Sequence, residues 1–520
     1  MNPTTTSYDA VPYASHPHPQ THPDRLAVMA RLFGLRPARI DRCRVLEVGC
    51  STGGNLLPMA CGLPQSEFIG IDLAGTAVQG LARACQELGL TNLRPVHGSL
   101  AEITPDWGPF DYIIAHGIYS WIPSELRQRL LATCRECLAP EGIAYISYNV
   151  LPGCHLRRML REMMLFHVRH LRAPEERVGQ SLAFLRFLAE AQEAHDDYRV
   201  WMKGELERTL EVGPSQLFHD DLAEVNEPIY FTQFIEQARS AGLQYVGEAD
   251  YFEMSDQCFH SEVRQTLQQL AADRILREQY LDFLKCRRFR QTLLCRQDNS
   301  LRAEADTDVV FGLVVGSAAE CARPPVNLLP GVHCTFETGK GARVETDFCW
   351  GKAALLVLRN RWPASLPFGE LYELSAQSLA ENGMTEVKSE SARRQLAGFL
   401  LQLYSIGLVE FRMAMPSMAP FVSEKPAASA LVRWQVQQGN FATSAFHSTI
   451  KIEDEVGRFL LSSLDGTKGR AELMELLWAF LQQKKAVVVP ERDASTARSE
   501  LEAELGGNLE KLARLGLLMA

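Results

Sequence analysis

The sequence predicts an α/β protein in which a doubly wound, largely parallel sheet is followed by a helical insertion and by an α+β, winged-helix-like C-terminal region. Three observations support the sheet: apolar strand patterns recur, helical patterns separate them, and a glycine-rich turn follows the first strand. The strand patterns lie near 44–48, 68–72, 93–97, 111–115 and 142–148, and the helical patterns lie near 54–62, 74–88 and 124–138. This alternation is typical of parallel strands joined by right-handed crossovers, so we expect a Rossmann-like sheet.

The first strand ends in a turn that suits a nucleoside. It runs into Gly49-Cys50-Ser51-Thr52-Gly53-Gly54-Asn55, and Asp72 closes the next strand. Glycines let the backbone approach a ligand closely, and an acidic residue after the second strand of such a sheet binds ribose hydroxyls. The turn departs at Ser51 from the dinucleotide pattern G-x-G-x-x-G. This departure favours a cofactor without pyrophosphate, such as S-adenosylmethionine.

Each part of such a cofactor has a candidate partner. Backbone amides near 53–55 could bind its carboxylate, and Glu47 could orient its amino group. Asp72 would accept the ribose hydroxyls, and the turn at 97–100 would lie beside the adenine. The candidate cofactor-binding residues are Tyr8, Glu47, Gly49, Cys50, Ser51, Gly53, Asn55, Asp72, Leu73, Gly98, Ser99, Leu100 and His116.

The same turn also matches G-x-S-x-G, the nucleophile elbow of α/β-hydrolases, with Ser51 as the nucleophile. An elbow normally follows several earlier strands, whereas this turn follows the first strand of the predicted sheet. A hydrolase would also leave Glu47 and Asp72 without a role. The position of the turn therefore favours the cofactor-binding interpretation.

Aromatic and histidine side chains follow the fourth and fifth strands. The carboxyl ends of adjacent strands in an open sheet are where ligands react, and aromatic faces can hold a cationic amine. The candidate catalytic residues are His116, Tyr119, Trp121, Tyr148 and His155. An N-terminal segment adds Tyr8, Tyr13, His16, His18 and His22. Its prolines keep it extended, so we expect a lid over the cofactor rather than a metal site.

Composition excludes several kinds of partner. The 520 residues are 46% hydrophobic with a net charge of −10, which gives no overall attraction to nucleic acid or to anionic membranes. No apolar run approaches the ~18 residues of a membrane helix, and we expect a cytoplasmic protein. The close pair Cys134 and Cys137 lacks further ligands at zinc spacing, so we predict no metal and expect both thiols to pack on a helix.

The remaining sequence predicts three further regions after a cofactor-binding core at 1–150. We expect a helical insertion at 151–228, with Leu156, Met159, Leu160, Met163 and Met164 on one apolar face. Strands near 243–246 and 291–296 should complete the sheet, which places a regulatory segment at 229–298. Two helix–glycine–strand units, at 393–411 and 509–518, predict a winged-helix-like region at 299–520 that contacts protein rather than DNA.

The chain resembles bacterial class I methyltransferases with a methyltransferase regulatory domain, similar to the rickettsial outer-membrane-protein lysine methyltransferases. The resemblance is carried by Ser7-Tyr8-Asp9, Thr21-His22-Pro23, the turn at 49–55, the segment 116–123, Tyr148-Asn149, Phe218-His219-Asp220-Asp221-Leu222 and Pro228-Ile229-Tyr230-Phe231. It implies S-adenosylmethionine as cofactor, with Glu47, Gly49, Gly53, Asp72 and the Ser99 region as its ligands. It also implies protein lysine as substrate and a homodimer. Cys154 departs from the aromatic residue expected before His155.

These features predict direct in-line methyl transfer to a substrate nucleophile, with positioning as the main source of catalysis. A lysine amine would have to be held in its neutral form, because its ordinary pKa is ~10.4. Tyr119, Tyr148 and His116 are the candidates for this role. Deletion of residues after 300 should then reduce protein methylation more than cofactor binding. Two alternatives stay open: a cofactor-binding sensor or scaffold, and a small-molecule methyltransferase.

Overall fold

A seven-stranded sheet with the order β3-β2-β1-β4-β5-β7-β6 forms the centre of the computed structural model. The model describes residues 7–519 apart from 12, 14, 192–196, 272, 385–387 and 485–493. The strands are β1 (Arg44–Val48), β2 (Glu67–Asp72), β3 (Leu93–His97), β4 (Phe110–Ala115), β5 (Leu138–Asn149), β6 (Leu243–Glu248) and β7 (Phe289–Arg296). Strands β1 to β5 pair in parallel, and β7 is antiparallel to β5 and β6. The predicted doubly wound sheet is confirmed.

Helices cover both faces of this sheet. The helices up to the end of this sheet are α1 (Ser7–Ala10), α2 (Pro23–Leu32), α3 (Leu56–Gly62), α4 (Gly75–Glu87), α5 (Ser124–Cys137), α6 (Cys154–His167), α7 (Pro174–Glu190), α8 (Asp197–Val212), α9 (Pro214–Gln216), α10 (Phe231–Ser240), α11 (Ser261–Leu270) and α12 (Arg274–Lys285), of which α6 to α9 belong to an insertion. Successive strand residues point to opposite faces, and each face has its own apolar core: Val45 and Tyr112 pack in one, Leu46 and Ile113 in the other. Most side chains of β1, β2 and β4 are therefore buried on both faces of the sheet.

Strands β6 and β7 extend the sheet beyond β5, as the sequence predicted, and a buried ion-pair network fixes them to α12. The guanidinium of Arg290 lies 2.6 Å from Glu248, 2.9 Å from Asp282 and 3.1 Å from Glu278. All four groups are buried, and Arg287 also pairs with Asp282 and Glu278. Removal of Arg290 would therefore leave the buried Glu248 carboxylate without its ion-pair partner. The boundaries at 150, 228 and 298 stay predictions.

Helices α6 to α9 form the insertion predicted after the fifth strand, and they bury a small core of their own. Leu160 and Met164 contribute to it together with Met202 and Leu217. The predicted apolar face is confirmed at these two positions, whereas Leu156, in the first turn of α6, is exposed. The insertion is therefore a small packed layer rather than a single surface helix.

The C-terminal region contains two helical units with small antiparallel sheets. Its strands are β8 (Val314–Gly316), β9 (Glu320–Cys321), β10 (Cys334–Glu337), β11 (Arg343–Thr346), β12 (Leu366–Pro367), β13 (Glu410–Arg412), β14 (Phe441–Thr443) and β15 (Thr449–Lys451). Its helices are α13 (Cys349–Arg361), α14 (Phe368–Glu381), α15 (Glu390–Tyr404), α16 (Ala430–Gln438), α17 (Glu455–Ser463), α18 (Arg470–Gln483) and α19 (Ala494–Arg514). Gly407 and Gly516, with φ of +72° and +70°, end α15 and α19 as the two predicted units require. Among the helices that the structure describes, none is long and apolar enough to cross a membrane.

Cys134 and Cys137 are both buried on α5, which confirms the packing predicted for this pair. Burial raises the pKa of each thiol above its ordinary value, so both are protonated at neutral pH. Within the described ranges, no group of three or more His, Cys, Asp or Glu side chains is arranged to hold a metal ion. The pair is therefore part of the core.

Candidate functional site

The glycine loop, residues 49–55, joins β1 to α3 and is fixed to β2. The N–H groups of Gly49 and Cys50 donate to the carbonyl oxygen of Ile71 at 2.8 and 3.3 Å. Gly53 has a φ of +76°, and a Cβ there would overlap Leu81. The thiol of Cys50 is buried beneath the loop. The tight turn predicted from the glycines is thus present, and glycine is required at Gly53 by both conformation and space.

Asp72, at the carboxyl end of β2, is held by two backbone donors. Its Oδ2 accepts from the N–H of Ser51 at 2.8 Å, and its Oδ1 accepts from the N–H of Ala74 at 2.8 Å. The carboxylate is half-buried, whereas the next side chain, Leu73, is 53% exposed. Each carboxylate oxygen has further acceptor capacity, so this fixed group can accept hydrogen bonds from a pair of hydroxyls.

The turn after β3 lies next to Asp72. The N–H of Gly98 donates to the carbonyl oxygen of Asp72 at 3.0 Å. Ser99 begins a short helical turn in which its hydroxyl accepts from Ala101 at 3.2 Å and its N–H donates to Glu102 at 2.9 Å. Leu100 is buried below the turn. The predicted adenine-side residues therefore form a rigid, capped turn beside the carboxylate.

Glu47, in β1, carries a buried oxygen without a partner. Its side chain is 4% exposed, and its Oε1 accepts from Asn55 Nδ2 at 2.8 Å. Its Oε2 is buried and makes no hydrogen bond to any described residue. Burial raises the pKa of Glu47 to about 8; nearby Asp72 also raises it, and the Asn55 hydrogen bond lowers it. An unpaired buried carboxyl oxygen at a strand end marks a place for a donor or cationic group.

Residues 15–22, which we call the N-terminal strap, lie on the glycine loop. The N–H of His18 donates to Asn55 Oδ1 at 2.9 Å, and Asn55 Nδ2 donates to the hydroxyl of Thr21 at 3.0 Å. The predicted covering segment thus packs on the loop. The hydroxyl of Ser15 accepts from the N–H of Gly54 at 2.9 Å. The N–H of Gly53 donates to the carbonyl oxygen of Cys50 at 2.9 Å. The amides of Gly53 and Gly54 are therefore not available to bind a carboxylate, contrary to the prediction, because both donors are already used.

His116 directly follows β4 at the same edge of the sheet. Its Nδ1 lies 2.9 Å from the hydroxyl of Tyr145, and the ring of His18 stacks on it with centroids 3.8 Å apart. Burial, reinforced by His18, holds the pKa of His116 well below its ordinary value. Burial also lowers the pKa of His18 to about 4. Both imidazoles are therefore neutral at physiological pH.

Tyr119 and Tyr148 lie in the core and not at the ligand edge. The hydroxyl of Tyr119 donates to Gln237, and that of Tyr148 lies 2.9 Å from Thr292 Oγ1. Both rings pack against Phe234, with centroids 5.1 and 4.1 Å away. Both side chains are fully buried. They point to the sheet face that α10 covers, so we assign them to packing instead of the predicted contact with a substrate amine.

We expect Tyr148→Phe to leave turnover within about twofold of wild type and to lower the free energy of unfolding by about 1 kcal/mol, because only one buried hydrogen bond is lost. Initial rates and denaturant unfolding measure the two effects. Thr292→Val removes the other partner and also its hydrogen bond to Glu248, so it should lower the free energy of unfolding further while leaving turnover unchanged. A loss of turnover above tenfold without a change in stability would return Tyr148 to the reacting groups.

Two other predicted residues lie at different depths. Trp121 is half-buried, and its Nε1 is buried with no hydrogen-bond partner among the described residues. His155 is exposed on α6, where its Nε2 lies 3.4 Å from the hydroxyl of Tyr230. Trp121 therefore offers an unused N–H donor, whereas His155 lies at the protein surface on the insertion.

A polar cluster for which the sequence predicted no joint chemical role lies beside Tyr8. The ring of Tyr8 stacks on His219, with centroids 4.2 Å apart, and the phenol of Tyr13 hydrogen-bonds Asp220. Burial raises the pKa of Tyr8 to about 12, and the charges of Asp220 and Asp72 add to this shift. Tyr8 therefore lies near both carboxylates, between the end of β2 and the insertion.

Asp220 is held by a network that reaches β5. Asn149 Nδ2 donates to Asn226 Oδ1 at 3.0 Å, and Asn226 Nδ2 donates to the carbonyl oxygen of Asp220 at 2.7 Å. Arg157 pairs with the neighbouring Asp221 through two bonds of 2.7 and 2.9 Å. Burial raises the pKa of Asp220 to about 6. The two aspartates belong to a π-helical turn. The segment 218–222 carries the family resemblance, but a π-helical turn has no signature in a 3.6-residue periodicity, so the sequence contains no sign of a chemical role for Asp220.

Comparison with protein families places three domains on the chain. A methyltransferase domain matches residues 45–142, the methyltransferase regulatory domain matches residues 213–296, and the PKMT C-terminal winged helix domain matches residues 424–517. The first match contains the glycine loop and Asp72. The second contains Asp220, and the third contains the second of the two predicted helix–glycine–strand units.

Relatives and solved structures agree with these domains. An uncharacterized protein of Rickettsia prowazekii is 29% identical over 98% of this chain and 93% of its own length. Another from the same organism is 34% identical over 45% of this chain and 94% of its own length. PKMT2 from Rickettsia typhi, solved alone and in complex with AdoHcy, has the same fold: the TM-score is 0.86 at 24% identity, over 98% of this chain and 100% of that one. The chain belongs to the class I S-adenosylmethionine-dependent methyltransferases with a methyltransferase regulatory domain, in the group that resembles rickettsial PKMT.

Proposed function

We propose that the protein is an N-methyltransferase that methylates lysine side chains of a protein by direct in-line transfer. The observation that carries the proposal is the pair of carboxyl groups at the ends of β1 and β2. Glu47 presents a buried oxygen without a partner, and Asp72 is fixed by two backbone donors. The winged helix domain and the solved relatives bear the name of protein lysine methyltransferases, and one relative was solved with AdoHcy.

These residues fit S-adenosylmethionine. The buried Oε2 of Glu47 would accept from the cationic amino group, and Asp72 would accept from the ribose hydroxyls. The capped turn at Gly98 and Ser99 would border the adenine, and the strap would exclude water. When bound, the cofactor supplies a methyl group on a positively charged sulfur, which a neutral amine can attack.

We propose Asp220 as the group that receives the substrate lysine. With a pKa of about 6 the carboxylate is ionised at neutral pH, and it lies among the aromatic rings of Tyr8, Tyr13 and His219. An anion among aromatic faces attracts an ammonium group. The lysine must lose a proton before its nitrogen can attack, and the half-buried Asp220 can accept that proton and pass it to solvent.

A methylation assay tests the proposal. Protein extract from the source bacterium, and separately its small-molecule fraction, is incubated with the enzyme and methyl-labelled S-adenosylmethionine. We expect label in the protein fraction, released on acid hydrolysis as N-methylated lysine. Label in the small-molecule fraction alone would favour a small-molecule methyltransferase. Cofactor binding without transfer to either fraction would favour a sensor or scaffold.

We expect Asp220→Asn to lower kcat/KM for the lysine substrate by about 100-fold, because the charge that holds the ammonium is removed. The cofactor dissociation constant should change less than about threefold. The pH profile of wild-type kcat/KM should show a decrease below pH 6, where Asp220 becomes protonated. The profile of Asp220→Asn should lack this decrease. Rate against pH and calorimetric titration measure the two effects.

Glu224→Gln, an exposed change in the same segment, is the matched control and should leave both constants unchanged. A cofactor affinity that falls as much as kcat/KM in Asp220→Asn would instead place Asp220 on the cofactor side of the site. The homodimer and the cytoplasmic location stay predictions, and sedimentation velocity measures the oligomeric state.

A further inference from the structure

We propose that His447, in the winged helix domain, is a positioning residue of the cofactor site and acts on Glu47 through Asn55. The inference rests on the proposed function, because it assumes that Glu47 binds the cofactor. It makes the C-terminal domain part of the cofactor site and not only a platform for the substrate.

His447 lies in the turn between β14 and β15 and is inserted into the protein. Its side chain is 5% exposed, although the residue belongs to a hairpin turn. Its φ is +57°, in the left-handed region that few non-glycine residues adopt. The turn is fixed on both sides: Ala445 N–H donates to Gly516 O at 2.8 Å, and Phe446 stacks on Trp362 with centroids 5.3 Å apart.

The Nε2 of His447 lies 2.8 Å from Asn55 Oδ1, across 392 positions of sequence. The orientation of the Asn55 amide follows from its other partners. The backbone N–H of His18, which can only donate, lies 2.9 Å from Oδ1, so this atom is the acceptor. The Nδ2 group therefore faces Glu47 Oε1, at 2.8 Å.

The same geometry fixes the state of the imidazole. Because Asn55 Oδ1 accepts, His447 Nε2 must carry the proton. Burial holds the pKa of His447 well below its ordinary value, and the neighbouring His22, His18 and Arg25 disfavour its cationic form further, so the ring is neutral with one N–H. The neutral imidazole of His447 thus positions the Asn55 amide, which in turn hydrogen-bonds Glu47.

Two consequences follow. Coupling between sites is reciprocal, so docking of the winged helix domain should tighten cofactor binding, and the cofactor should tighten docking. Deletion of the C-terminal region should then weaken cofactor binding as well as protein methylation. The contact between His447 and Asn55 thus predicts a larger loss of cofactor binding on this deletion than the sequence alone indicates.

The test compares His447→Leu, which lacks the donor, with His447→Gln, whose amide N–H reaches a similar position. Neither replacement is favoured at positive φ, so their comparison isolates the hydrogen bond. Calorimetric titration with S-adenosylhomocysteine should show about tenfold weaker binding for the Leu variant, equal to about 1.4 kcal/mol, and less than threefold for the Gln variant. In the Leu variant, KM for S-adenosylmethionine should rise about tenfold while kcat changes less than twofold.

His333→Leu, an exposed histidine of the same region, is the control and should bind as wild type does. If wild type does not bind S-adenosylhomocysteine, the proposed function is overturned. If wild type binds and the Leu variant binds equally well, or if the Leu and Gln variants lose the same affinity, the role of His447 is overturned. Should the Leu variant not fold, hydrogen exchange of residues 441–451 in wild type decides: slower exchange on saturation with S-adenosylhomocysteine is expected, and no change contradicts the inference.

Discussion

Asp72→Ala is expected to weaken binding of S-adenosylmethionine by at least about 100-fold. The carboxylate would accept two ribose hydroxyls, and hydrogen bonds to a charged acceptor contribute about 1.5–3 kcal/mol each, where 1.4 kcal/mol is a factor of ten. The same carboxylate accepts from the N–H groups of Ser51 and Ala74, so its loss also frees the loops that shape the site. Calorimetric titration of the folded variant measures the effect.

Two further variants make this result specific. Asp72→Asn keeps one acceptor oxygen and the shape, so its affinity should lie between those of wild type and Asp72→Ala. Asp106→Ala removes an exposed aspartate from the loop before β4 and should bind as wild type does. Binding by Asp72→Ala within threefold of wild type would remove Asp72 from the cofactor site. If wild type does not bind S-adenosylmethionine, the hydrolase interpretation, in which Ser51 is the nucleophile, would have to be tested instead.

The sheet and the shape of the glycine loop could be predicted because their determinants are local. Strand and helix periods place β1 to β4 within one residue of the observed bounds. The glycine loop needs glycine for backbone reasons that are visible in sequence, as the φ of +76° at Gly53 shows. Glu47 lies within the apolar run 45–48 and Asp72 ends the apolar run 68–71, so both acidic residues are conspicuous in the sequence.

The acceptor side could not be predicted in the same way. In a sheet covered on both faces, a tyrosine near a strand end can point either into the core or toward the ligand. The sequence pattern of such a strand does not show which direction the side chain takes. Tyr148 thus packs on Phe234, whereas Tyr145, which was not selected, contacts His116. Asp220 and His447 approach the site from distant segments, and only tertiary packing brings them there.

Glu47 is expected to lose a proton when the cofactor binds. Burial raises its pKa to about 8, so at pH 7 the free protein carries mostly the neutral acid. The amino group of the cofactor is cationic at this pH and favours the carboxylate. Binding of S-adenosylmethionine should release close to one proton per protein molecule at pH 7. Its affinity should increase by up to tenfold for each unit by which the pH is raised, until about pH 8. Calorimetry in two buffers of different ionisation enthalpy counts the protons.

Glu47→Gln should abolish proton release and weaken binding by about 100-fold, yet stabilise the free protein at alkaline pH. The sign follows from linkage: the folded pKa of about 8 exceeds the ordinary value of 4.5, so stability present below pH 4.5 is lost as pH rises through 8. Glutamine has no such loss, and the variant should melt a few degrees higher than wild type at pH 8.5. Glu67→Gln, exposed at the start of β2, should change neither property. Weaker binding with lower stability would mean that Glu47 serves the fold, whereas weaker binding with higher stability means that the buried acid is kept for the cofactor.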